Sequence, residues 1–440
     1  MQPFQTFPNL LARTIDRHAY DPVMTGEDDR PVTGRGLGRA AEQTSVSLRT
    51  RGIGREDRLG LVLDQDLDSA VTLACAMTVC AAVALPPATP AELDALLPRL
   101  RLRALLAPDG AEDAAIAAAD RHDIPVLWRL PDPRGGIRIA GPAAGPAAPD
   151  RPARPEDTAV IILTSGSAGR PKLVPRTHRN TVDCAVASLP QQPLVPRDAT
   201  ILHAPIASSY AHEQLVRCLA IGGRLDLRGP FAPTRMSALL ATCRPAWLAL
   251  TPPMLAAWLD VPGAGPISPA SRLRFIQVSG APLTGSLRSA AAAAFGVPIL
   301  DSYGSTEALA VAYEPVSGRC PAGTAGEPVA GVRIVDDTDT PLPDGSPGSI
   351  QVRGDTVFPG YLDDPDATAR AFTADGWFRM GDRGIIGARR CLTVLGREDD
   401  LINRGGDKID PAEVEAILLA HPAVSDCAVF AIPHPRFGQE

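Results

Sequence analysis

Leu163-Thr164-Ser165-Gly166-Ser167-Ala168-Gly169-Arg170-Pro171-Lys172-Leu173-Val174-Pro175 is a glycine-punctuated, hydroxyl-rich stretch that carries a lysine and follows directly on the apolar run Ala159-Val160-Ile161-Ile162-Leu163. A short, β-branched, wholly apolar run has the pattern of a buried strand, so the loop hangs from a strand end. Gly166 and Gly169 permit positive φ and close backbone approach. Thr164, Ser165 and Ser167 offer hydroxyl donors, and Lys172 supplies a point charge suited to a polyphosphate. Clustered Ser, Gly and Pro also suit an ordinary solvated turn, and both readings stand on local chemistry alone. The nucleotide pattern G-x-x-x-x-G-K-[ST] is not met, because only Ser167 and Ala168 separate Gly166 from Gly169 and Leu173 follows the lysine.

Composition sets the bounds. At 440 residues the chain exceeds what one hydrophobic core usually serves, so two or more domains or subdomains are expected. A hydrophobic fraction of 45%, a charged fraction of 21% and a mean hydropathy of +0.01 are those of a soluble globular protein. The net charge of −7 gives no global basic field for nucleic acid or an anionic membrane. Eight cysteines, at 75, 80, 184, 218, 243, 320, 391 and 427, are scattered without a C-x-x-C pair and are expected to be reduced and structural. Met1-Gln2-Pro3-Phe4-Gln5 shows no basic segment followed by an apolar one, so a cytoplasmic protein is expected. The apolar stretch from Ala70 to Leu85 is too short for a usual membrane span and reads as a buried helix.

The order of elements points to an α/β protein. Leu59 to Leu63 reads as a strand and Ala91 to Leu97 as a helix between Pro90 and Pro98, while Pro131 to Glu156, rich in Pro, Ala, Gly and Arg, reads as a loop. Further on, Leu273 to Val278 is a strand, Gly280-Ala281-Pro282 a turn, Ser286 to Phe295 a helix stopped by Gly296, and Val297 to Leu300 leads into Asp301-Ser302-Tyr303-Gly304-Ser305-Thr306-Glu307. Alternating strands and helices favour parallel sheets, which bind ligands beyond the carboxyl ends of their strands. After Gly323 short strands (Val332 to Val335, Ser349 to Arg353, Cys391 to Leu395) among Gly, Pro and Asp turns indicate a small β-rich subdomain. Asp410-Pro411-Ala412-Glu413 opens a helix, and Ala428 to Ile432 reads as a strand. One helix and one strand do not make an independent domain, so the last domain is expected to be incomplete. The fold expected is therefore α/β: two stacked αβαβα-type subdomains and a small β-rich one within residues 1–396, then a hinge and the incomplete start of an α+β lid domain over 397–440.

Four stretches in order carry a resemblance. The loop at 164–172, Asp301 to Glu307, Gly376-Trp377-Phe378-Arg379-Met380-Gly381-Asp382 and Gly396-Arg397-Glu398-Asp399-Asp400 resemble the motifs of the adenylate-forming superfamily, which includes acyl-CoA synthetases, aryl-acid ligases and nonribosomal-peptide adenylation domains. The resemblance runs from about Leu59 to Glu440. It implies that a carboxylate attacks the α-phosphate of ATP to give an acyl-adenylate and pyrophosphate. A thiol, of CoA or of a carrier-protein phosphopantetheine, then takes the acyl group.

The resemblance also assigns residues. It implies that Thr164, Ser165, Gly166, Ser167, Gly169 and Lys172 hold the β- and γ-phosphates, that Thr306 touches the α-phosphate, and that Glu307 helps to hold Mg²⁺. Tyr303 would stack on adenine, with Asp301, Ser302, Gly304 and Gly280-Ala281-Pro282 around the base and the acyl pocket. Asp382 would accept from the ribose hydroxyls, Arg397 would reach the ribose, and Asp399 would be the hinge pivot. Ser208, Ser209 and Tyr210, with Gly280 and Gly304, would line the substrate pocket. Amino-acid-activating relatives place an aspartate near there and catechol-acid relatives His-Asn; Ser208 and Ser209 favour a short acyl or aryl acid over an α-amino acid. His212 and Glu213 either line the pocket or form a solvated or core pair. Leu401 to Ile409 and His421-Pro422-Ala423-Val424 are similar to short-chain acyl-CoA and aryl-acid ligases, and Lys408 would serve the lid. Family members carry a lid lysine beyond the segment matched here, so weak turnover is expected of this chain. An amino-acid-activating domain and a nucleotide-binding core with impaired turnover are the alternatives.

Overall fold

The computed structural model describes residues 5–131, 136–164, 171–267 and 271–400, and beyond these 402–404, 407–409, 411–419, 421, 424, 427–436 and 438–439. A seven-stranded sheet is built from β1 (Arg58–Leu61), β2 (Ala81–Ala84), β3 (Ala104–Pro108), β4 (Val126–Pro131), β5 (Ile137–Ala140), β6 (Thr158–Thr164) and β7 (Lys172–Thr177), in the order β5-β4-β3-β1-β2-β6-β7. The five central strands are parallel, and β5 and β7 close the two edges antiparallel. A second sheet holds β8 (Trp247–Leu250), β9 (Phe275–Val278), β10 (Ile299–Tyr303), β11 (Ala312–Tyr313) and β12 (Glu327–Pro328) in sequence order, the first three parallel. The α/β expectation is met.

Helices join these two sheets. Buried apolar side chains run without a break from Leu59 and Leu61 of β1, through Val182 of the helix His178–Ala187 and Leu215 and Val216 of the helix Ser209–Ile221, to Trp247, Phe275 and Leu300 of the second sheet. A third, antiparallel sheet of β13 (Gly331–Val335), β14 (Gly348–Arg353), β15 (Phe378–Ile386) and β16 (Leu392–Arg397) is the β-rich unit expected after Gly323. Its alternating burial, with Phe378, Met380, Asp382, Gly384 and Ile386 alternating buried and part-exposed neighbours along β15, is that of a sheet packed on one face. A small sheet pairs Pro22–Thr25 with Pro31–Thr33 and with Arg224–Asp226, and another gathers the short strands between Ile402 and Gln439.

Five sequence expectations need correction. The stretch Ala70 to Leu85 is not one helix: the helix Leu67–Ala76, capped by Asp66 accepting from Ser69 N, ends in a turn, and Ala81–Ala84 is the strand β2 between β1 and β6. A run of alanines has no period to separate helix from strand, and a central position in the sheet decides it. Pro98 does not end its helix, which runs Pro90–Leu100 and stops at Arg101 with φ of 49°. Buried Leu96, Leu97 and Leu100 hold that last turn against the core, so a single missing N–H is tolerated. Within the Pro131–Glu156 loop, β5 adds to the sheet edge by placing Ile137 and Ile139 inward and Arg138 outward.

The remaining two corrections concern the later part of the chain. Cys320 and Cys391 are joined by a disulfide, with Cα atoms 5.9 Å apart, whereas every cysteine was expected to be reduced. Their approach follows from backbone pairing that the sequence does not announce: Ala325 N donates to Leu392 O and Leu392 N to Gly326 O, each at 2.8 Å. Residues 428–432 carry no strand, and Phe430 and Ile432 are exposed. Val429 N donates to the Glu415 carboxylate at 2.8 Å rather than to a neighbouring strand. No helix among the described residues is long and apolar enough to cross a membrane.

Candidate active site

The antiparallel hairpin of β6 and β7 sets Thr164 directly opposite Lys172 at its open end. Ser165, Gly166, Ser167 and Gly169, expected to cradle phosphate, lie outside the described residues. Lys172 Nζ donates to Tyr361 Oη at 3.4 Å and stands 4.7 Å from the centre of that ring. The same hydroxyl donates to Glu307 Oε1 at 2.9 Å. One phenol thus joins the loop lysine to the carboxylate that the resemblance offers to a metal. Burial and the neighbouring Glu307 both push the Tyr361 phenol up, so it stays protonated and keeps donating.

Thr306 and Glu307 sit in an irregular turn after β10, not at a helix start. Gly304 opens it. A Cβ on Gly304 would lie 2.0 Å from Leu309 O, so only glycine lets the chain fold back here. Arg176 on β7 holds the turn from below: its guanidinium is fully buried and donates to Thr306 O and Glu307 O, both at 3.2 Å. Phe358 N adds a third restraint on Glu307 O at 2.8 Å. Thr306 Oγ1 donates to Ser209 Oγ at 3.2 Å, which brings the turn to the head of the Ser209–Ile221 helix.

Tyr303, at the end of β10, donates its hydroxyl to Asp382 Oδ2 at 2.5 Å, and Arg397 Nε lies 3.2 Å from Asp382 Oδ1. Residues 79 and 15 positions from Asp382 thereby meet at one carboxylate. β15 and β16 impose this, since Asp382 and Arg397 are paired across the ladder. Burial holds the Asp382 carboxyl above its ordinary range against the opposing pull of Tyr303 and Arg397. Gly280, at φ of 90°, is exposed together with Ala281 and Pro282, and the β9 and β10 ends are tied by Ser279 Oγ donating to Ser302 O at 2.9 Å.

Behind these residues lies a buried polar layer. Asp301 accepts from Ser302 N at 2.8 Å, and burial lifts its carboxyl to about 7 despite Arg288 nearby. Ser302 Oγ receives Gln277 Nε2 at 3.1 Å, and Gln277 Oε1 receives Arg217 at 2.8 Å. Arg217 pairs with Glu213, and Tyr313 donates to Glu213 at 2.6 Å. Glu213 is therefore a core ion pair and not a solvated or pocket-lining acid. His212 is buried too, and burial with Arg176 nearby lowers it to about 3, so it is neutral at pH 7. Ser208 is occupied as the helix cap, accepting Ala211 N at 3.2 Å, while burial and the adjacent Glu213 raise the Tyr210 phenol.

Of the residues named from sequence, the structure gathers Lys172 with Glu307, Tyr303 with Asp382 and Arg397, and Thr306 with Ser209. Asp399 is exposed beyond β16, and the Lys408 side chain lies outside the described residues. Sequence reasoning missed Tyr361 and Arg176. Gly360-Tyr361 is a hint, since Gly360 has φ of 134° and a Cβ there would lie 2.6 Å from Thr368; Arg176, a charge in the otherwise uncharged Leu173 to Thr177 run, is another. Among the described residues no group of three or more His, Cys, Asp or Glu gathers as a metal cage. A single carboxylate fits Mg²⁺ that arrives with phosphate oxygens, because that ion keeps few protein ligands.

The AMP-binding enzyme model matches residues 11–362, and the AMP-binding enzyme C-terminal domain model matches 413–440. A sulfoacetate–CoA ligase of Cupriavidus necator is 30% identical, over 99% of this chain and 87% of its own length. Pyochelin synthase PchD of Pseudomonas aeruginosa is 29% identical, over 99% of this chain and 82% of its own. The ATP-bound crystal structure of MatB from Rhodopseudomonas palustris superposes with a TM-score of 0.86 at 27% identity, covering 99% of this chain and 87% of that one. A family model over four-fifths of the chain and a ligase aligned along nearly all of it place the chain in the AMP-binding enzyme family of adenylate-forming, acid–thiol ligases.

Proposed function

We propose that this chain activates a short acyl or aryl carboxylic acid at the site around Glu307 and Tyr303, and that ATP-dependent adenylate formation there is followed by transfer to a thiol of CoA or of a phosphopantetheinyl carrier protein. Acid activation with ATP and thiol transfer come with the family; the acid class and the residue roles are the proposal. The observation that carries it is the meeting of Lys172 and Glu307 at one phenol, from strand and turn 135 positions apart, with each retaining hydrogen-bonding capacity that no described residue fills.

In-line displacement at phosphorus needs positioning and charge neutralisation more than a covalent group from the protein. An acid oxygen attacks the α-phosphorus, the bond to the bridging oxygen of the β-phosphate breaks, and pyrophosphate leaves. Thr306 hydroxyl, now donating to Ser209, turns its proton to an α-phosphate oxygen, and Lys172 neutralises the leaving pyrophosphate. Glu307 would hold Mg²⁺, which would supply charge withdrawal from the phosphates. Tyr303 stacks on the base and Asp382 keeps lone pairs for the ribose hydroxyls beside its bonds to Tyr303 and Arg397. Residues 397–440 form hinge and lid, with Asp399 the pivot.

The acid class follows from what Ser208 and Ser209 lack. Neither carries a carboxylate to pair with a substrate ammonium, and Ser208 is already committed to its helix. Burying an unpaired ammonium costs several kcal/mol, on the order of what an amino-acid substrate would have to recover elsewhere. ATP and a thiol acceptor of this kind suit the cytoplasm. Exchange of labelled pyrophosphate into ATP with a panel of aliphatic, aryl and amino acids tests the reading. Exchange above background with an aliphatic or aryl acid is expected, while exchange with α-amino acids alone would contradict it.

A further inference from the structure

Residues 358–362 form a strap between the Thr306–Glu307 turn and the strand β7. At one end Phe358 N donates to Glu307 O at 2.8 Å, and at the other Leu362 N donates to Leu173 O at 2.9 Å, beside Lys172. Between them Tyr361 is fixed: its N–H donates to Thr368 Oγ1 at 2.9 Å and its ring packs edge-on against Phe358 at 4.9 Å between centroids. Gly360 sets the turn that throws the ring toward the site. The hydroxyl then accepts from Lys172 and donates to Glu307, filling its donor and one acceptor position.

We infer that Tyr361 is a positioning residue that acts as a spacer: it keeps the Lys172 ammonium and the Glu307 carboxylate from closing on each other before nucleotide arrives. The inference rests on the nucleotide reading of this site. Opposite charges that both reach a single oxygen, at 3.4 and 2.9 Å, have a direct ion pair as their alternative. In that pair the lysine would be withheld from phosphate and the carboxylate from a cation, and binding would have to break it. With the phenol between them each charge is partly satisfied, yet neither is locked. The ring adds a face over which Lys172 rests at 4.7 Å, so the lysine is held near the phosphate position by a weak cation–π contact.

The test is calorimetric titration with ATP in chelator, so that no metal enters, on four proteins: wild type, Tyr361→Phe, Glu307→Gln and the double variant. Phenylalanine keeps the ring and its packing while removing the hydroxyl, so all four are expected to melt within a few degrees of one another. Tyr361→Phe is expected to weaken ATP about three- to fivefold when Glu307 is present, the size of one partly exposed ion pair that must be broken. In the Glu307→Gln background, where no carboxylate waits for Lys172, the same change is expected to leave the affinity nearly unaltered. This dependence on the background separates a spacer from a packing residue. Equal loss in both backgrounds, or loss in neither, would overturn the inference while leaving the site intact. If wild type itself binds no ATP, the nucleotide reading fails first, and the two failures are told apart by that one titration.

Discussion

Two triads of the same charge pattern occupy this molecule, and they behave oppositely. Glu213, Arg217 and Tyr313 join a carboxylate, a cation and a phenol; so do Glu307, Lys172 and Tyr361. The first is sealed, with Arg217 and Tyr313 each 1% exposed, and its guanidinium also serves Gln277 and lies between the Trp247 and Tyr313 rings. The second is half-buried, and among the described residues one oxygen of Glu307 and one proton of Lys172 are engaged. A network sealed from solvent fixes a fold, whereas an accessible one of the same charge pattern is open to a ligand. What separates them is solvent access.

The sharpest way to break the comparison is to disturb the sealed triad. Arg217→Met leaves Glu213 buried without its partner, so a stability loss of about 3–5 kcal/mol is expected in urea unfolding. ATP affinity of the protein that remains folded should change little. If the stability loss were small and nucleotide binding collapsed, the two triads would have been assigned the wrong way round.

Next in size is Arg176, the link between scaffold and site. Its partners among the described residues are the carbonyls of Thr306, Glu307 and Asn180 and the Cys184 thiol, none of them a carboxylate. Arg176→Met removes two charge-assisted bonds to the Thr306–Glu307 turn, each worth about 1.5–3 kcal/mol. Pyrophosphate exchange is expected to fall by about 10²-fold, with KM for the acid much less affected. A fall carried entirely by KM would mean that the turn does not act on the reacting phosphate.

For the open triad, Lys172→Ala should weaken ATP by roughly tenfold, the cost of one charge-assisted contact, while the melting temperature stays within a few degrees. Loss of fold without loss of affinity would make Lys172 a structural residue. The smallest effect concerns pH. Asp301 is raised to about 7 by burial, so the native state holds a proton that the unfolded chain releases near pH 4. Its contribution to stability is present below pH 4 and is lost as pH rises through 7. Asp301→Asn should therefore gain stability relative to wild type between pH 5 and 8, by about 1 kcal/mol or more, read as the difference in urea midpoint. A constant difference across that range would show that Asp301 is ionised throughout.

How much of this was legible in the sequence depended on how local the signal was. Tyr303, Gly304, Thr306, Glu307 and Asp382 could be named because each stands in a short string of unusual residue types, and the strings keep a recognisable order. Tyr361 and Arg176 could not, since a lone tyrosine and a lone arginine acquire meaning only from partners 54 and 130 positions away. The α/β alternation was readable from apolar runs and breakers. Where it failed, long-range pairing decided: Ala81–Ala84 became a strand through β1 and β6, and Cys320 met Cys391 through the backbone bonds of Ala325 and Leu392. Residues 428–432 show the converse, an apolar run that carries no strand.

The proposed site holds adenosine, phosphate and an acyl group together. The first test is calorimetric titration of wild type with non-hydrolysable acyl-adenylate analogues bearing small aliphatic, aryl and amino side chains, because on this proposal they would engage Tyr303, Asp382 and Thr306 at once. An aliphatic or aryl analogue is expected to bind at least tenfold more tightly than ATP alone, as two joined subsites should. Binding of none of the analogues by folded protein, or a preference for the amino analogue, would contradict it.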